Sequence, residues 1–262
     1  MRHDLTIDLD RPRLRLRLCL ALCLCLAPLA GRGAEGPSYR LVAGELPPFS
    51  TQQGPDSPGV LVEVAQELSR RVGAAPSVEF FPWQRALMMT TNTARIAVLP
   101  LTRTPEREAD YRWLAKLYWQ NFVFISRHGT VDLNNTAALK NRKIVVLRGS
   151  PHLKALLDAG FKSVGECSTV SDCMRMLKTG IVDLTYGGEA IHRGVANLAG
   201  ASEGDFDYSA TFRSGEIWLA GSKDFSDAEA AAWQAAMKAM HADGSYARIL
   251  RKHGMDPDKG SR

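Results

Sequence analysis

Beyond residue 30 the sequence holds no apolar run as long as a membrane-spanning helix, so no span is expected in the mature chain. It has no GxxxxGK[ST] loop and no HExxH helix, which removes the usual carriers of nucleotide-phosphate and zinc-protease chemistry. Cysteine is scarce. Of five, Cys19, Cys23 and Cys25 fall in one early apolar stretch, leaving Cys167 and Cys173. The six histidines, His3, His128, His152, His192, His241 and His253, are scattered, and each reads as a surface or capping residue rather than a catalytic base. Long repeats, low-complexity linkers and charge blocks are missing from the mature chain, so no third module is indicated.

What is present begins with a leader. Arg11, Arg13, Arg15 and Arg17 precede LCLALCLCLAPLA and then the small residues of GRGA, the layout of a secretory signal peptide over residues 1–33. Those 33 residues hold six of the 33 Lys+Arg and three of the 28 Asp+Glu, so the remainder carries only +2. The basic character belongs largely to the leader, and neither a nucleic-acid nor an anionic-membrane partner is implied. Export places Cys167 and Cys173 in an oxidising compartment, where an isolated pair most simply forms a disulfide. A metal site is the rival reading; CSTVSDC has no nearby histidine to complete it.

Strand and helix patterns then alternate. YRLVAG, SVEFF, RIAVLPL, NRKIVVL, KSVGEC, IVDLTY and GEIWLAGS read as strands. Leu61, Val64, Ala65, Leu68 and Val72 recur at helical spacing, and WQRALMMTT, SPHLKALLDAG, SDCMRMLKTG and two C-terminal stretches read as helices. The TPERE turn is expected to open another. The fold class is therefore α/β, with mainly parallel sheets in two lobes and ligand chemistry beyond the carboxyl ends of the strands.

Those ends carry ELPPF, TRTPER, RGSP and GGEA. Arg107 stands in the first turn after the N-cap Thr104 and Pro105, where the helix dipole disfavours a cation unless an anion is near. Trp83 and Arg85 head the helix after FFPW; Trp83 is either core or a flat wall for a ligand, and Arg85 either a solvated charge or an anion contact. Arg85 and Arg107 together suggest shared work on an anion or on an internal carboxylate such as Glu45. Arg148, Gly149 and Ser150 end a strand and open a helix, a second place for an anion. His152, in RGSPH, is the histidine nearest this cleft.

In order, YRLVAGELPPFS, PGVLVEVAQELSRRVG, PWQRAL, LTRTPERE, LKNRKIVVLRGS, LKTGIVDLTYGGEA and MHADGSYARILRKHG resemble the bacterial periplasmic solute-binding proteins of family 3, the polar amino-acid ABC transporter type. The PW-x-R and RTPERE pair is similar to a divergent branch of that family. The resemblance spans about Tyr39 to Gly254. It implies a two-lobed periplasmic-binding-protein fold of type II with a two-segment hinge: residues 34–126 and 214–262 in lobe 1, residues 127–213 in lobe 2. It implies a monomer that binds a small carboxylate-bearing solute for an ABC permease or a sensor, with no cofactor, no metal and no catalysis. Arg107 would hold the ligand's carboxylate, Trp83 would stack on it, and Thr102 and Ser150 would supply polar contacts. Departures qualify the ligand. Gly188 stands where the family has an aspartate for the α-ammonium, with Glu189 one place on, and Glu45 or Glu189 is left to take over that role. Pro151 replaces a threonine, Leu46 an aromatic, and Leu99 and Pro100 replace small residues; Tyr186 adds a stacking or hydrogen-bonding surface. Some relatives resemble cyclohexadienyl or arogenate dehydratases, which makes a cleft enzyme with Glu45 or Glu189 as proton donor the alternative.

Overall fold

The computed structural model describes residues 38–260 apart from residues 55, 56 and 203; the leader assigned to residues 1–33 lies outside them. In chain order the elements are β1 (Arg40–Ala43), α1 (Val60–Arg71), β2 (Val78–Phe80), α2 (Trp83–Asn92), β3 (Ile96–Thr102), a three-residue 3-10 turn (Pro105–Arg107) and β4 (Arg112–Arg127). Then come α3 (Thr136–Leu139), β5 (Lys143–Leu147), α4 (His152–Asp158), β6 (Ser163–Cys167), α5 (Val170–Lys178), β7 (Leu184–Gly188), α6 (Glu189–Leu198) and β8 (Phe206–Tyr208). The chain closes with β9 (Arg213–Gly221), α7 (Asp227–Ala242), α8 (Ser245–Lys252) and α9 (Pro257–Gly260).

The strands follow one path, β2-β1-β3-β9-β4-β7-β5-β6, with β8 paired to β4. Parallel triples occupy the two ends: β2, β1 and β3 in one half, β7, β5 and β6 in the other. These are the two mainly parallel halves expected from the sequence, and the middle of the path joins them. There β4 pairs antiparallel with β9 from Arg112 to Phe122, then with β7 from Phe122 to Ser126. One 16-residue strand therefore belongs to both halves. Its length also explains why TPERE does not open a helix. After Arg107 the chain turns into β4, whose Trp113, Leu114, Ala115, Leu117 and Tyr118 are all buried, the continuous apolar run of a strand covered on both faces.

Burial explains the flanking helices. In α1 the positions Leu61, Val64, Ala65 and Leu68 are fully buried, each large side chain contributing roughly 1.5–3 kcal/mol, and Gly73 follows at φ 78°, a left-handed conformation that costs a side-chain-bearing residue more. Helix α7 starts with a capping box: the Glu229 N–H donates to Ser226 Oγ at 3.2 Å and the Ser226 N–H to Glu229 Oε2 at 2.8 Å. Its Trp233, Met237 and Met240 face the core. Tyr246 of α8 donates its hydroxyl to Leu117 O at 2.9 Å, tying the C-terminal helices to β4. Cys167, at the end of β6, is disulfide-bonded to Cys173 of α5 across a Cα separation of 5.5 Å. Among the described residues no group of three or more His, Cys, Asp or Glu side chains is placed to hold a metal, and no helix is long and apolar enough to cross a membrane.

Candidate functional site

The carboxyl ends of β3, β5 and β7 meet at a cleft, as parallel strands with helices on their return paths require. Thr102 ends β3, Leu147 ends β5 and is followed by Gly149 and Ser150, and Tyr186, Gly187 and Gly188 end β7. The cleft has two compartments. An inner chamber of about 50 Å³ runs from Leu46 and Trp83 to Gly187 and Gly188, and an outer cavity of about 550 Å³ opens toward Glu106, Lys154, Asp158 and Arg213. Thr102, Arg107, Phe122, Ser150, His152 and Tyr186 line both.

Arg107 is the cation at the junction. Its Nη1 donates to Thr102 O at 2.9 Å and its Nη2 to Gly149 O at 2.6 Å, so the guanidinium crosses from the β3–β4 turn to the β5–α4 loop. These bonds use two of the five N–H donors an arginine carries. No carboxylate among the described residues forms an ion pair with it. Burial pulls its pKa below the ordinary arginine value, and the nearby charge of Glu106, with which it forms no ion pair, offsets this only in part. The turn holding it is one 3-10 turn of three residues, too short for an α-helical macrodipole. Lost hydration, rather than the helix dipole, is what makes this cation costly.

Apart from Arg107, the walls of the inner chamber are apolar or neutral. The His152 ring packs edge-on to Phe122 at 4.8 Å and to Tyr186 at 5.1 Å, and burial lowers its pKa to about 3, so it is neutral at ordinary pH. His192, in the inner wall, bonds Gly188 O through Nδ1 at 2.9 Å and is held to about 4 by burial. Both correct the reading of these histidines as surface or capping residues. The Tyr186 hydroxyl and Gln120 Oε1 are buried without a hydrogen-bond partner. Gln120, 2 % exposed, comes from β4 and lies against Gly188: a Cβ built there would be 1.3 Å from Gln120 Nε2. Trp83 is both core and wall; it is buried in the apolar cluster and lines the inner chamber, with Gly44 leaving room for its ring.

Of the residues singled out in the sequence, Trp83, Thr102, Arg107, Ser150 and Tyr186 converge on the cleft, and four do not line either compartment. Arg85 is exposed and stacks over Phe81 at 5.1 Å, because Trp83, Ala86 and Thr90 form the buried face of α2 and Arg85 falls on the other. Arg148 is half-exposed beside Glu166 at 3.5 Å. Glu45 is exposed and accepts from Thr51 Oγ1 and, at 2.9 Å, from the Gln52 N–H, facing a separate hollow next to Phe81 and Ser168. Glu189 pairs with Arg193 at 3.0 Å and opens onto a rear hollow with Tyr118 and Met255. The expected takeover by Glu45 or Glu189 is thus not seen, and neither Arg85 nor Arg148 shares an anion with Arg107. Gln120, Phe122 and His192 were missed as site residues, whereas His152, placed nearest the cleft by the sequence, lines both compartments. A signal for the first existed: Tyr118, Gln120, Phe122 and Phe124 share one face of β4, and a lone amide among aromatic rings is a buried polar group.

GASEG, residues 200–204, has nucleophile-elbow spacing. Ser202, however, follows the C-terminus of α6 in a loop, where its N–H donates to Asp205 Oδ2 at 3.1 Å, instead of occupying a strand-to-helix turn. GRGAEG, residues 31–36, has dinucleotide-loop spacing and lies outside the described residues.

Two parallel α/β halves joined through shared long strands, with a cleft at the carboxyl ends, define a two-lobed binding-protein fold of the periplasmic type. The family described as bacterial extracellular solute-binding proteins, family 3, matches residues 41–256, and the chain belongs to it. A histidine kinase sensor domain with similarity to periplasmic binding proteins superposes with a TM-score of 0.74 at 15% identity, over 83% of this chain and 96% of that one. An ancestral arginine-binding protein bound to arginine gives 0.72 at 17%, over 83% and 98%. The arginine-, lysine-, histidine-binding protein ArtJ of Geobacillus stearothermophilus gives 0.72 at 17%, over 82% and 94%. At these identities the likeness establishes the fold. A sequence search of the curated proteins finds no match.

Proposed function

We propose that this protein binds a small carboxylate-bearing solute, an amino acid or related organic acid, between its two lobes, and delivers it to an ABC permease or a sensor. The observation that carries the reading is Arg107: a buried guanidinium at the junction of both compartments, bonded to two backbone carbonyls, with three N–H groups uncommitted and no ion pair to an acid among the described residues. A ligand carboxylate supplies the missing charge. Residues 34–126 and 214–262 form one lobe in this reading and residues 127–213 the other, so the Arg107–Gly149 bond bridges them. Residues 1–33 direct export to the periplasm, where the Cys167–Cys173 disulfide is stable.

Permease and sensor remain paired in this proposal, because arginine-binding proteins and a kinase sensor domain are both among the similar folds. The dehydratase-like alternative depends on Glu45 or Glu189 as proton donor, and neither lines the cleft compartments. A thermal-shift screen of amino acids, dicarboxylates and aromatic acids, followed by calorimetry, tests the reading. At least one carboxylate is expected to bind, and Arg107→Ala to weaken it at least about tenfold. Binding of uncharged solutes alone would overturn it.

A further inference from the structure

The charge balance of the inner chamber narrows the ligand class. Its lining residues include one cation, Arg107, and no aspartate or glutamate. Glu189 faces the rear hollow, and Gln120 lines both that hollow and the chamber, so it stands as the partition between them. The partition is rigidly packed: Gly188 has no room for a side chain because the Gln120 amide occupies the place, and Gly187 is covered in the same way by His192, whose Cε1 would lie 2.5 Å from a Cβ there. What the chamber offers besides Arg107 is a set of neutral polar groups. Gln120 Oε1 and the Tyr186 hydroxyl, each on a side chain at most 2 % exposed, have no partner, and the His152 ring is uncharged.

A carboxylate on Arg107 brings this site to zero net charge. An α-amino acid would then add a buried ammonium with no counter-ion, and a buried unpaired cation costs far more than a buried hydroxyl that finds an acceptor. A hydroxyl donates to Gln120 Oε1 and accepts from the Tyr186 hydroxyl, satisfying both orphaned groups. Resting on the carboxylate reading above, we propose that the chamber selects an organic acid whose second polar group is neutral, a 2-hydroxy acid foremost, over the 2-amino acid of the same skeleton. Gln120 is the residue that sets this preference.

Calorimetry on the purified protein with matched pairs reads the preference directly: L-lactate against L-alanine, L-phenyllactate against L-phenylalanine, and L-2-hydroxyglutarate against L-glutamate. In each pair that binds, the hydroxy acid is expected to bind at least about tenfold more tightly. An amino acid that matches or exceeds its hydroxy partner overturns the selection while leaving the carboxylate site standing. If no member of any pair binds but other carboxylates in the screen do, the 2-hydroxy-acid proposal fails. If no carboxylate binds at all, the site reading fails and the proposal with it. Gln120→Glu, nearly isosteric, puts a carboxylate where the amide stands and is expected to shift the hydroxy-to-amino affinity ratio at least about tenfold toward the amino acid. The readout is a ratio, so a general loss of affinity does not imitate it. An unchanged ratio removes Gln120 from the role.

Discussion

At the scale of single residues, Arg107 drew attention for a reason the structure replaces. The sequence placed it against a helix dipole, whereas the observed turn is three residues long and its discomfort comes from lost hydration. Arg107→Lys is expected to keep the charge but lose the two-pronged contact, weakening the ligand less than Arg107→Ala does, and calorimetry ranks the two. His152 and His192 lead to a pH prediction. Their folded-state pKa values, about 3 and about 4, lie below the ordinary 6.5. Between those values and 6.5 the unfolded chain binds more protons than the folded one. Their contribution is therefore complete above about 6.5 and is lost as the pH falls. Glu229, held to about 2 by its hydrogen bond to Arg95, begins to matter only below the usual carboxylate range. Urea unfolding is expected to show up to about 3 kcal/mol lost between pH 6.5 and 5, with His192→Gln roughly halving the slope. A flat profile would contradict the burial of both rings. Neither histidine was legible as buried, because Phe122 and Tyr186, brought by other strands, cover His152, and His192 packs on Gly187 and Gly188 at the end of β7.

At the scale of elements, local pattern was a good guide wherever one face or one run carried the apolar residues. The strands RLVA, IAVLPLT and KIVVL and the α1 helix follow their periodicity closely. Helix α6 was not read, because EAIHRGVANL carries Gly194 in its interior, which lowers helix propensity. The structure gives that glycine a purpose: a Cβ at Gly194 would lie 2.5 Å from Pro47 O, so α6 packs directly on the backbone of the loop after β1. On the other rim Gly149 approaches the Leu87 side chain, where a Cβ would be 3.2 Å from Leu87 Cδ1. These close approaches hold the two halves together beside the cleft. Gly194→Val is expected to keep the fold, since valine is tolerated in a helix, but to push Pro47 away. X-ray scattering should then show a larger radius of gyration, and calorimetry at least about fivefold weaker ligand binding. An unaltered scattering profile would show that this contact does not set the closed form.

At the scale of the whole molecule, β4 decides the behaviour. It pairs with β9 along its first part and with β7 along its last, so both halves of the sheet hang on one strand and its neighbour. The alternation of strands and helices foretold two α/β halves; it could not foretell that they share a strand, since strand pairing depends on distant partners such as Trp119 and Glu216, 97 residues apart. Outside that shared segment, the contacts across the cleft among the described residues include Arg107 to Gly149, α6 on Pro47, Leu198 beside Gly54, and Gly149 on Leu87. Such contacts can part while the shared strands flex. A ligand that touches both halves binds only when they meet, and so shifts the population toward the closed form. At a hundred times its Kd such a ligand adds about 2.7 kcal/mol to stability, which for a domain of this size raises Tm by roughly 5–10 °C. The same saturation is expected to reduce the radius of gyration, and Arg107→Ala to suppress both effects together. A Tm rise without compaction would mean that the ligand binds one half alone, and the bridging role of Arg107 would have to be given up.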